Sequence, residues 1–160
     1  MKAVSLKKLK DELSHKSANE LMELCLHLSK FKKENKELFT YLLFESHDEA
    51  SYIESIKEQI DFLFEDINTK SFFYIRKSAR KILTLTKKYI RYSKKKETEA
   101  ELLMYYCRKL KDFSPSIRNS SRLLNVYQTQ LKMIKKAVAT LHEDLQYDYQ
   151  HEIENLEIHL

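Results

Sequence analysis

Glycine is absent from the chain, and proline occurs once, at Pro115, among 160 residues. Glycine ordinarily makes up roughly 7% of a protein and proline roughly 5%. Without glycine, the positive-φ positions that tight hairpins, phosphate loops and nucleophile elbows require are hard to build. A Walker loop, a dinucleotide-binding turn and an EF-hand loop are excluded outright, since each needs glycine at fixed places. What remains is a chain confined almost entirely to right-handed helices joined by short polar links. Long apolar runs are missing too: none approaches the roughly 20 residues of a membrane-spanning helix. The opening Met1 to Lys8 is charged but leads into no apolar h-region, so a secretory signal is not expected. Cysteine is scarce. Cys25 and Cys107 have no CxxC partner and read as reduced core thiols in a cytosol, with a disulfide between them as the lesser alternative.

What is present fits an all-α fold. Hydrophobic residues make up 42%, enough for a real core, and the length suits one domain. Ser17 with Glu20, Ser46 with Glu49 and Thr98 with Glu101 have capping-box spacing, which predicts helix starts. Links near Ser5, Ser17, Asn35, Ser46, Asn68, Lys96 and Ser114-Pro115-Ser116 divide the chain into about seven helical segments. These run over 5–14, 18–32, 35–45, 47–67, 70–94, 98–113 and 116 onward. Pro115 suits the first turn of a helix, where its missing N–H costs nothing.

Three segments carry apolar seams at coiled-coil spacing. They are Ile53, Ile56, Ile60, Leu63, Ile67; then Leu103, Tyr106, Leu110, Phe113; then Leu124, Tyr127, Leu131, Ile134, Val138, Leu141, Leu145. Such seams predict an antiparallel multi-helix bundle over 46–160, with a short-helix cap over 1–45, all in one domain. A short α-solenoid is the alternative, although no repeat of fixed period supports it. The last seam passes Thr140 and continues through Tyr149, Ile153 and Leu156. Unbroken, that long C-terminal helix would span roughly 60 Å, and its far half would need a partner molecule, such as a second copy. A break near Thr140, whose spacing to Glu143 is again that of a capping box, is the other outcome.

Charge is strongly blocked beneath the net +5. Residues 45–66 hold eight acids against one lysine, whereas residues 67–96 hold eleven lysines and arginines and no acid. Residues 137–160 hold six acids and no base. At 100° per residue, Arg76, Arg80, Lys87, Arg91 and Lys94 share a narrow arc, with Lys70, Lys77, Lys81, Lys88 and Lys95 beside it. Phe72, Ile75, Ala79, Ile82, Leu83, Tyr89 and Ile90 form the opposite, dry face.

Three readings of the basic face stay open. It meets a polyanion such as nucleic acid, with Tyr74 and Tyr92 placed to stack on bases. Alternatively, the acidic helices 47–67 and 141–158 lie along it, in this molecule or a dimer mate. Otherwise it is simply solvated. The discriminator is whether the acidic faces neutralise it. A role on anionic lipid is disfavoured, because the dry face is needed for the core.

Chemistry is sparse. Glu12 with His15 is the one match to the Glu-x-x-His pattern of di-iron bundles, and a second copy is missing. Glu23 with His27 is a common surface spacing, and His47-Asp48-Glu49 suits a helix start. No HExxH or zinc-spaced cluster exists. Cys25 and Cys107 lie on apolar-facing stretches, where a thiol is usually inert. The expectation is therefore no catalytic residue, metal or cofactor.

Two stretches, Lys32-Lys33-Glu34-Asn35-Lys36-Glu37-Leu38 and the run from Lys87 through Tyr89, Arg91 and Tyr92 to Phe113-Ser114-Pro115, resemble a set of small helical bacterial proteins without an assigned activity. The resemblance implies a bacterial, cytoplasmic protein and says nothing of mechanism. The leading expectation is a non-enzymatic helical binding or scaffold protein, acting on a protein partner or on itself through its C-terminal helix. The alternative is a nucleic-acid-binding protein using Arg76, Lys77, Arg80, Lys81, Lys87, Lys88, Arg91, Lys94 and Lys95.

Overall fold

A computed structural model of the chain describes residues 1–157; His159 and its two neighbours lie outside the described residues. The described residues form eight α-helices and no strand. They divide into two compact units, Met1–Phe44 and a second beginning at Glu45.

The first unit holds α1 (Leu6–Ser14), α2 (Ala18–Phe31) and α3 (Lys33–Thr40), followed by a π turn at Tyr41–Glu45. Local signals account for it. The Ser5 hydroxyl accepts from the Lys8 N–H, and Ser17 with Glu20 closes a complete capping box. Burial does not account for it: none of the three helices has a buried residue, and within the unit only Tyr41 is buried. Cys25, expected in a core, is exposed because α2 has no core to enter.

The second unit is a helical bundle of α4 (Glu49–Glu65), α5 (Phe72–Ser93), α6 (Lys96–Lys111), α7 (Ser121–Val138) and α8 (Glu143–Leu156). Its centre is α6, which packs against the other four helices. Ala100, Leu102, Leu103, Met104, Tyr106, Cys107 and Leu110 are all buried, so the helix is apolar around most of its circumference. That is the pattern of a helix enclosed by others. Around it lie Ile53, Ile56, Ile60 and Phe64 of α4, Ile75, Ala79 and Ile82 of α5, Leu123, Tyr127 and Ile134 of α7, and Ile153 and Leu156 of α8. The tyrosines at the seams are core residues with satisfied hydroxyls. Tyr106 donates to the Ala79 carbonyl at 3.0 Å and Tyr127 to the Leu156 carbonyl at 2.5 Å.

Several local expectations are corrected. Of the two outcomes open for the 116-onward segment, the structure shows the break near Thr140 and not the long C-terminal helix: α7 ends at Val138 and α8 starts at Glu143. Thr140 is not the cap, since its hydroxyl bonds back to the Ala137 carbonyl, and the His142 ring accepts from the Asp144 N–H instead. With the chain broken there, α8 packs on α6 and α7, burying Ile153 and Leu156 within the molecule. The physical need for a second copy along a 60 Å rod disappears.

Ser46 yields to Asp48, which caps α4 through the Ser51 N–H. Thr98 lies inside α6, where its hydroxyl donates to Glu49 Oε1 at 2.5 Å. Pro115 precedes a 3₁₀ turn at Ile117–Asn119, and Ser120 caps α7. The α5–α6 corner is the tightest. Lys94 takes a left-handed conformation (φ 60°), the position a glycine would ordinarily fill, and its N–H donates to the Ile90 carbonyl. No helix of the described residues is long and apolar enough to cross a membrane.

Candidate polyanion-binding face

The dry side of α5 enters the core as its spacing requires: Ile75, Ala79, Ile82, Leu83 and Ile90 are buried. This fixes the opposite side outward. Lys77, Arg80, Lys81, Arg91, Lys94 and Lys95 are exposed, while Arg76, Lys87 and Lys88 are half-buried along the flank. All nine sequence-selected cations therefore stand on one helix and its C-terminal corner.

The acidic segments take partners elsewhere. On α4, Asp61 receives the Tyr105 hydroxyl at 2.7 Å and the Lys109 ammonium at 3.0 Å. Burial alone would raise the Asp61 carboxyl, but these two donors on α6 outweigh it and hold the group below its ordinary value. The Tyr105 hydroxyl is correspondingly pushed up to about 12, by burial and by its bond to Asp61. Lys57 of α4 bridges Glu54 at 2.7 Å and Glu101 of α6 at 2.6 Å. On α8, Glu152 pairs with Arg108 of α6 at 2.8 Å. The Lys111 ammonium donates to the Asn155 carbonyl, and Lys135 of α7 reaches Glu157 at 2.5 Å.

At its C-terminal corner the basic block meets acid. Lys95 pairs with Glu49 at 2.8 Å, and that carboxylate also accepts from Ser93 and Thr98. Lys88 lies over the Tyr89 ring, 4.9 Å from its centroid. Arg76, Lys77, Arg80, Lys81, Arg91 and Lys94 form no ion pair among the described residues. Neighbouring acids thus leave most of the face uncompensated, and its field reaches solvent.

The expected stacking residues divide. Tyr92 is buried, edge-on to Tyr89 at 5.9 Å, and offers no free ring. Tyr74 is 45% exposed and packs edge-on to Phe73, which is 61% exposed. Phe73 was missed, because periodicity names the dry face of a helix and its opposite, not which residue at the edge stays exposed once Ile75 of the same turn is buried.

Toward the other end, the face borders a cleft of about 580 Å³, lined by Lys87, Ile90, Arg91 and Lys94 of α5 and its end, Lys96, Glu99 and Leu103 of α6, and Met133 of α7. Lys96 pairs with Glu99 at 2.6 Å. The Lys87 ammonium has one polar contact among the described residues, the Met133 thioether at 3.4 Å, and burial lowers its pKa from the ordinary lysine value. No sequence pattern signals this cleft, because its lining comes from three helices.

Burial pushes the Cys107 thiol up to about 12, far from thiolate at neutral pH. Among the described residues, no three His, Cys, Asp or Glu side chains come together to hold a metal ion. His15 bonds the Asp11 carbonyl at 2.7 Å rather than Glu12. No protein-family model, curated protein or solved structure matches the chain.

Proposed function

We propose that the protein is a non-enzymatic helical binding module that works through protein–protein contacts. The observation that carries this is the state of residues 1–44. Thirteen large apolar side chains of this unit are exposed, among them Leu24, Leu28 and Phe31 of α2 and Leu42, Leu43 and Phe44 beyond α3. Among the described residues of the second unit, four are: Phe62, Phe73, Tyr74 and Tyr147. Exposed apolar surface on that scale marks an interaction surface. On α2, Leu21, Leu24, Leu28 and Phe31 alternate steps of three and four, the spacing with which one helix meets another.

Sedimentation velocity across concentration, with binding of a hydrophobic fluorescent dye, tests this. Self-association lost in Leu28→Glu/Phe31→Glu assigns the faces to a second copy of the chain. A monomer that binds the dye through residues 1–44, and loses that binding in the same variant, assigns them to a different protein. A monomer indifferent to both dye and substitution would sink the proposal.

A second reading has its own support. The uncompensated basic face of α5, with the exposed Phe73–Tyr74 pair at its start, suits a nucleic-acid backbone. Fluorescence anisotropy with labelled single- and double-stranded RNA and DNA, titrated with salt, tests it. Charge reversal at Arg76, Arg80, Lys87 and Arg91 is expected to abolish binding while helicity is kept. A chain that binds none of these nucleic acids even at low salt has no polyanion role on this face.

A further inference from the structure

The cleft at the α5–α6–α7 junction has features that neither an extended polyanion track nor an apolar docking surface needs. Four cations line it, Lys87, Arg91, Lys94 and Lys96, against one carboxylate, Glu99. Its volume, about 580 Å³, lies within the range of small-molecule sites, roughly 300–1,000 Å³. Met133 is the half-exposed apolar side chain among the charges, with Ile90 and the fully buried Leu103 behind it. The Lys87 ammonium is half-buried with a thioether as its one polar contact among the described residues. Of the lining, Glu99 supplies the one opposite charge that acts on it. At the rim, α6 begins at Lys96 with no side-chain cap, which places the positive end of a 16-residue helix beside Lys94 and Lys96.

We propose that this cleft binds a phosphate monoester carrying a compact ring, the chemistry of a mononucleotide. The phosphate sits between Lys87, Arg91 and Lys94, where Arg91 can offer two parallel N–H donors and Lys87 a point charge. The ring lies on Met133 beside the edge of Ile90, the methionine sulfur being a favourable contact for an aromatic edge. Glu99, held by Lys96, is the acceptor for a ligand hydroxyl. A long acyl chain fits poorly: three apolar residues floor an open cleft and provide no enclosed tunnel. The same chemistry is offered by a free nucleotide or by one nucleotide of a strand lying along α5.

Titration calorimetry of the full chain at low salt tests the site, with adenosine and uridine 5′-monophosphates, the corresponding nucleosides and inorganic phosphate as probes. A monophosphate is expected to bind one-to-one and more tightly than inorganic phosphate or nucleoside. Lys87→Met/Arg91→Ala should weaken it by about tenfold or more, since each removes a charge-assisted bond. Lys77→Ala/Arg80→Ala, toward the other end of α5, should leave it within about twofold. Met133→Glu, which sets a carboxylate against Lys87, should abolish binding even if the double variant folds poorly.

A single-stranded octanucleotide separates the sources. Competition with the monophosphate places a strand's nucleotide in the cleft, whereas monophosphate binding without competition makes the free nucleotide the ligand. The proposal is overturned if no monophosphate binds saturably, if inorganic phosphate binds as tightly, or if Lys77→Ala/Arg80→Ala is as damaging as Lys87→Met/Arg91→Ala. An octanucleotide that depends on Lys77 and Arg80, while no monophosphate binds saturably, leaves the basic-face reading standing while this one falls.

Discussion

Residues 1–44 and the bundle that follows are both helical, yet they are helical for different reasons. In the first unit the helices rest on caps and local bonds: the Ser17–Glu20 box, the Ser5 cap, and the Asn35 amide reaching the Leu28 carbonyl at 2.8 Å. Only Tyr41 is buried there. In the second, α6 is enclosed by four neighbours and the buried residues run through every helix. Short helices in isolation are marginal in water, and most helical stability in proteins comes from packing an apolar face. The contrast teaches that secondary structure and stability are separable here. The first unit has the former, and its large apolar side chains stay exposed.

The comparison breaks or sharpens most at the two apolar sets. Leu102→Ala, at a site with no exposure, should cost about 2–5 kcal/mol in denaturant unfolding. Leu28→Ala, at a site 53% exposed, should stay within about 0.5 kcal/mol. An equal cost would mean that the α2 face is buried in solution. Native-state hydrogen exchange should show the same division, with α6 amides opening only at the global unfolding free energy and those of residues 1–44 exchanging with little protection. Protection of α1 and α2 comparable to α6 would contradict the division.

The next effect belongs to Glu49, which ties the start of α4 to the α5–α6 corner through Ser93, Lys95 and Thr98. Glu49→Ala should cost about 2 kcal/mol, since hydrogen bonds to charged groups are the stronger kind and two hydroxyls lose their acceptor. A change below 0.5 kcal/mol in the same unfolding experiment would show that the corner is held by α5–α6 packing alone.

Lys94→Gly should act in two directions. A non-glycine residue in the left-handed region is penalised by roughly 1–2 kcal/mol, part of which the greater freedom of unfolded glycine offsets. A gain of up to about 1 kcal/mol is expected, together with weaker monophosphate binding at the cleft. A loss of stability would show that the Lys94 side chain contributes more than its backbone conformation costs.

The smallest effect is pH-dependent. The folded-state pKa of Asp61 is lowered, so its stabilisation is present above the unfolded value of about 3.9 and disappears as pH falls through the lower folded value. Because the group is partly exposed, the contribution is about 1 kcal/mol or less. Asp61→Asn should flatten the acid limb of a stability–pH curve and leave the slope above pH 6 unchanged. An unchanged acid limb would show that Tyr105 and Lys109 do not hold this carboxylate in solution.

Much of the molecule was legible beforehand. The missing glycine and the 3.6 periodicity determined an all-helical chain, and the i, i+3, i+4 seams named Ile53, Ile56, Ile60, Tyr106, Leu110, Tyr127 and Ile134 as core. They also placed the cations of α5 opposite its dry face. Periodicity is a property of one helix and its own axis, so it survives without knowledge of neighbours.

What neighbours decide was not legible. The same apolar spacing buries residues in α6 and leaves them exposed in α2, because burial depends on how many helices surround a face. Ser17 caps a helix whereas Ser46 and Thr98 do not, since Asp48 stands closer to one start and Glu49 claims the other hydroxyl. The Thr140–Glu143 spacing left a break near Thr140 open, but a single helix's pattern could neither decide it nor show that α8 packs on α6. The acidic blocks were visible, but that Asp61 and Glu152 pair with α6 follows from helix order in space, as does the cleft where Lys87 meets Met133. Charges at long sequence separation carry no distance until the core fixes which helices touch.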